Sequence, residues 1–111
     1  MEINDMTIGQ ARELLAMFGG GQVSHPYPVG EAVLIRTVTM MLTGRLVEVH
    51  EQELVLTDAA WIADTGLRLT DALATGRLGE VEPYPQGRVI VGRGAIVDAC
   101  VWTHALPREQ V

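Results

Sequence analysis

The side chains able to do chemistry are few in this chain and thinly spread. Histidines stand at 25, 50 and 104, the only cysteine at 100 and the only serine at 24. Metal sites need Cys, His or carboxylates at short fixed spacings, and neither C-x-x-C nor H-x-x-x-H occurs, so no metal or redox centre is expected. Asp58 and Asp64 flank Trp61, with Asp71 beyond. Paired carboxylates do acid–base work only where convergent geometry and burial perturb them, which spacing does not supply, so these read as helix caps or solvent-facing acids. Cys100, between Ala99 and Val101, reads as a buried inert thiol, because a nucleophilic thiolate needs an open, positive neighbourhood. Ser24 adjoins a proline-rich connector and completes no Ser-His-Asp order. Gly92-x-Gly94 lacks the third glycine and following helix of a dinucleotide loop and reads as a turn. No catalytic residue, no cofactor and no enzyme activity are expected.

Charge points the same way. The chain carries 8 basic and 14 acidic residues, a formal net charge of −6. Non-specific nucleic-acid affinity arises from Lys and Arg displacing counterions, so DNA is not an expected partner. All eight cations are arginine. Arginine's planar fork suits fixed bidentate pairing, and the eight positions form no cluster.

The elements that must position these residues come from one domain, since 111 residues leave no length for a second core. With 48% apolar and 20% charged residues the chain can bury a core. No apolar run of about 18 residues is present, and MEINDMTIGQ is acidic where a signal peptide is basic, so a cytoplasmic protein without a membrane partner is expected.

Thr7 to Phe18 reads as a short amphipathic helix that Gly19-Gly20-Gly21 ends. His25-Pro26-Tyr27-Pro28 forces an extended connector. The segments AVLIRTVTMML, RLVEVH and ELVLTDA read as three strands, with Gly44 marking a bend. LTDALAT, Leu69 to Thr75, reads as a short helix before Gly76. Pro83-Tyr84-Pro85-Gln86-Gly87 returns the chain in a rigid turn, and RVIVGRGAIVDACVW supplies two strands broken at Gly92-Arg93-Gly94. The layout is thus a helix over 7–18, three strands within 31–58, an insertion with a short helix over 59–87, two strands within 88–103 and a tail over 104–111. No internal repeat is apparent.

A helix followed by five short, bent strands has the order of a small SH3-like barrel. The segment Gly44 to Ala59, GRLVEVHEQELVLTDA, resembles the first signature of Sm-like proteins of the LSm and Hfq type. Val89 to Val97, VIVGRGAIV, resembles the second, and the resemblance spans about residues 7–102. It implies a mainly β fold: an N-terminal helix on a strongly bent five-stranded Sm-like barrel, with an insertion between strands three and four. It also implies a homo-oligomeric ring in which strand four of one subunit pairs with strand five of the next. An open sheet must in any case cover its edges. The expected interface residues are Val89, Ile90, Val91, Ile96, Val97 and Val101.

Relatives of this type commonly bind single-stranded RNA at two turns. Carried over, the second turn survives as Arg93 and Gly94; in place of the Asp and Asn of the first stands His50-Glu51-Gln52-Glu53. His50 has a ring to stack on a base and Gln52 an amide to bond its edge, whereas Glu51 and Glu53 oppose phosphate. The alternative reading of Arg93 is a turn-stabilising or inter-subunit bond to backbone carbonyls. Trp61 and Ile62, apolar at the entry to a loop, either plug a barrel end or meet another subunit; the subunit contact is the expectation, and there they would stack rings into a tube or filament. The resulting expectation is a self-assembling structural ring whose partner is itself. The alternative is an RNA-binding ring using His50, Gln52, Arg93 and Gly94.

Overall fold

The computed structural model describes residues 25–66 and 68–109; the expected helix over 7–18 lies outside them. The fold is mainly β, with antiparallel strands β1 (Ala32–Thr37), β2 (Met41–Val49), β3 (Glu53–Asp64), β4 (Glu80–Pro83), β5 (Val89–Gly92) and β6 (Ile96–Val101). Helix α1 (Leu69–Thr75) lies where LTDALAT placed it. The strands run β4-β3-β2-β1-β6, and β5 adds to β3.

The first expected strand is divided. The Thr37 hydroxyl accepts the amides of Thr39 (3.3 Å) and Met40 (3.0 Å), and Thr37 N–H donates to Met40 O at 2.7 Å. This local bonding turns the chain between β1 and β2. The second half of that run then continues through Gly44 into β2.

On the side away from β2, β3 serves two partners: Glu53–Leu56 pair with β5, and Ala60–Asp64 pair with β4. A single 3₁₀ turn, Arg93–Ala95, links β5 to β6. β5 lies on β3, however, and β6 on β1, on opposite sides of β2. So short a link spans that separation only because the sheet curls on itself. The curl is built at Gly44, where a Cβ would stand 3.1 Å from the Leu56 side chain and 3.3 Å from Ala59 Cα. Opposite it the register shifts, and Asp58 takes φ +50°, a left-handed conformation typical of a bulge.

The sheet buries both faces. Val33, Ile35, Leu42, Leu46, Leu54, Leu56, Ala59 and Val91 fill the inside of the curl. On the other face Leu34, Ile62 and Trp102 pack with Leu69 and Leu73 of α1, Leu78 and Leu106. Hence Val33-Leu34-Ile35 is a continuous apolar run rather than an alternating one. Gly76, at φ +77°, ends α1 by donating to Ala72 O, and a Cβ there would meet the His104 ring at 2.6 Å. The imidazole N–H of His104 in turn donates to Leu73 O at 2.7 Å, tying the tail to the helix. Thr43 is fully buried, and its hydroxyl has no partner among the described residues.

Two features differ from the sequence reading. The insertion holds a strand, β4, making six strands where five were expected, and β3 runs past Asp58 to Asp64, so Trp61 and Ile62 lie in a strand rather than at a loop. A short pattern is also repeated. Pro-Tyr-Pro-x-Gly occurs at 26–30 and at 83–87, each time just before a strand. Gly30 and Gly87 adopt φ +94° and +87°, and Tyr27 and Tyr84 both pack against the inner core.

Candidate functional site

The residues singled out in the two turns converge. Arg93 N–H donates to Gln52 O at 2.8 Å, and its Nη1 donates to His50 O at 2.7 Å. The guanidinium carbon lies 5.1 Å from the Tyr27 ring centroid, a cation–π distance. Arg93 therefore ties the β2–β3 turn to the 3₁₀ turn and to the Pro26–Pro28 segment. Tyr27 is a partner that sequence reasoning missed, since nothing in its spacing from Arg93 announces contact. His50 Nε2 is 3.0 Å from Glu48 Oε1, Glu48 also pairs with Arg88, and Glu51 and Glu53 are exposed beside them. Gly94, in the 3₁₀ turn, has open space around its α-carbon.

The expected interface residues divide. Ile90, Val97 and Val101 are 69%, 61% and 45% exposed. Val91 is instead buried in the inner core, with Val89 and Ile96 packed against it. Ile62 is 4% exposed and belongs to the outer-face core under α1, so it is not a surface residue; Trp61 alone of that pair reaches solvent. The reason is the extension of β3. Alternation sends Ile62 to the face that the insertion covers and Trp61 to the other.

Among the described residues β6 is paired on one side only, by β1, and β5 on one side only, by β3. Against β6 lies a groove of about 390 Å³ lined by Pro26, Tyr27, Pro28, Val33 and the strand from Ile96 to Val101. The only charge on β6 is Asp98, held bidentately by Arg36 across the strand pair, with Nε to Oδ1 at 2.7 Å. That bond from the guanidinium holds the Asp98 carboxyl below the usual carboxylate range. Cys100 is exposed on this edge rather than buried as expected, and partial burial of the thiol pushes its pKa up. It is thus a poor thiolate at neutral pH.

The three aspartates have separate local roles. Asp64 Oδ1 accepts Gly66 N–H at 2.8 Å, Asp71 lies in the first turn of α1, and Asp58 sits in the bulge 4.0 Å from Arg108 Nε. Among the described residues no group of three or more His, Cys, Asp or Glu could hold a metal, and no helix is long and apolar enough to cross a membrane. A second cleft, about 370 Å³, lies between Thr57, Asp58, Tyr84, Arg88 and Arg108. No family model, curated protein or solved structure matches the chain.

Proposed function

We propose that this chain is a self-assembling structural module, a divergent Sm-like domain whose curled sheet forms an SH3-like barrel and whose copies join edge to edge. The observation that carries the reading is the pair of open edges: β5 and β6 each lack a second ladder partner among the described residues and expose Ile90, Val97 and Val101. Such edges template pairing with another chain. The two strands are joined by one 3₁₀ turn, so each copy presents one edge to each neighbour. A heterologous contact of this kind closes into a ring or propagates. Stacking of rings through the exposed Trp61 extends the same reading to a tube.

Light scattering across a concentration series, with negative-stain images of the same sample, tests this. A discrete multiple of 12.1 kDa, or stacked rings, is expected; a monomer at every concentration refutes it. A second reading, single-stranded RNA binding, is favoured by one observation, the convergence of the His50–Gln52 turn on Arg93. The neighbouring Glu48, Glu51 and Glu53 and the engagement of Arg93 by backbone and Tyr27 weigh against it. Binding that weakens steeply with salt and is lost in Arg93→Ala would establish it.

A further inference from the structure

Arginines that are scattered in the sequence are gathered by the strand register around Thr57 and Asp58. Arg45 of β2 stands directly opposite Thr57 of β3. Val89 of β5 stands opposite Leu56, so Arg88, one residue earlier, comes beside Thr57 from the other side. Opposed residues of antiparallel strands carry their side chains on one face, so Arg45, Thr57 and Arg88 form a row across the sheet. Arg108 of the tail approaches from beyond Asp58, its Nε 4.0 Å from Asp58 Oδ1. Among the described residues the ion-pair partners of these arginines are Asp58 and Glu48, and Glu48 is shared between Arg88 and His50. A chain of net charge −6 thus holds a local excess of guanidinium groups at this point.

The donors of this cluster are not used up. Arg45 gives one N–H, to Gly30 O at 3.0 Å. Arg108 reaches Ala59 O at 3.5 Å and Tyr84 O at 3.4 Å, both longer than a good N–H···O bond. A guanidinium has more N–H donors than these contacts occupy. The Thr57 hydroxyl and the Gln86 amide have no hydrogen-bond partner among the described residues. Thr57, Gln86, Arg88 and Arg108 line one cleft of about 370 Å³, a volume in the range of small-molecule sites, and Tyr84 and Pro85 supply its apolar wall. So many convergent donors exceed what the two oxygens of a carboxylate can accept, whereas a phosphoryl group presents three strong acceptor oxygens. Space beside Tyr84 and Pro85 remains for an organic substituent.

We propose that this cleft binds a small phosphate monoester. Arg88 and Arg108 grip the phosphoryl oxygens, Thr57 and Gln86 donate to them, Arg45 adds charge from the next strand, and the organic group lies against Tyr84 and Pro85. Asp58, the one acid lining the cleft, opposes the ligand while keeping Arg108 close. The site stands independently of self-assembly.

Calorimetric titration of the full chain with phenyl phosphate and with inorganic phosphate, at one ionic strength set by sodium chloride, tests it. Saturable binding is expected, with phenyl phosphate tighter by about tenfold because its ring is buried. Arg88→Met and Arg108→Met, each folded by circular dichroism, are expected to weaken it by about tenfold. Arg77→Met is the control for net charge, since Arg77 is exposed and does not line the cleft, and its affinity should equal that of the wild type. Asp58→Asn, which tolerates the same left-handed backbone, should bind about threefold tighter through loss of a like charge. No saturable heat, or equal weakening in Arg77→Met and Arg108→Met, overturns the site. Equal affinity for the two phosphates overturns the monoester, and weaker binding in Asp58→Asn overturns the anion.

Discussion

The two ends of the sheet, β4 and β6, face the same problem and answer it differently. β4 is four residues long, carries exposed Glu80 and Glu82, and ends at Pro83, which has no N–H to offer. Charge, brevity and proline are the devices that keep an edge from pairing. β6 is six residues long, has one charge already neutralised by Arg36, and exposes Val97 and Val101 beside an apolar groove. Among the described residues one edge is guarded and the other left open.

The largest effect is expected from closing the open edge. Trp102 N–H donates to Ala32 O, so along the alternating ladder Cys100 faces β1 and Ala99 faces outward; Ala99→Pro therefore removes an outward-facing N–H, and the fold should persist by circular dichroism while light scattering falls to the 12.1 kDa monomer. Cys100→Pro removes an inward-facing group of the β1–β6 ladder instead, and loss of the folded signal is expected. If both variants behave alike, Ala99 does not face away from β1.

Unguarding the other edge is the converse. Glu80→Val with Glu82→Val leaves β4 apolar and is expected to add lateral association, seen as irregular growth in scattering beyond the wild-type mass. Unchanged scattering would mean that Pro83 and the short length suffice as guards.

A smaller effect is expected at the curl itself. Gly44→Ala pushes a methyl against Leu56 and Ala59 and should cost about 1–3 kcal/mol in thermal or urea unfolding. Thr43→Val, which removes a buried hydroxyl without a partner among the described residues, should move the other way by about 1 kcal/mol.

The smallest effect concerns the one charge of β6. The Asp98 carboxyl is depressed in the folded state by its bond from Arg36, so the tie contributes fully above the ordinary carboxylate pKa of about 3.9 and is lost as pH falls through the lower folded value. A carboxyl titration followed by NMR should show Asp98 below that range, returning to it in Arg36→Met. No displacement in the wild type would remove the tie.

Local signals made much of this legible. Branched residues marked the strands, Gly76 after LTDALAT marked the helix end, and Gly92-Arg93-Gly94 marked the break that became the 3₁₀ turn. β4 was missed because EVEP offers one apolar residue, Val81, and pairs only because β3 extends beside it. The division at Thr37 carried a signal, a threonine able to bond its own turn, that the apolar run obscured. In the candidate site, Arg93 stood out in sequence, but its partners His50 O, Gln52 O and Tyr27 come from three separate stretches of chain.

By itself, then, the sequence determined the elements: which segments extend, where the backbone must bend, and that acids outnumber cations. These follow from side-chain shape, backbone freedom and charge, which each residue carries wherever it lies. Only the tertiary structure decided which edges stay open, that Ile62 is core and Ile90 is not, and that Arg36 neutralises Asp98 across strands 62 residues apart. Those properties depend on ladder phase and on which face another element covers, and a shift of one residue would reverse them.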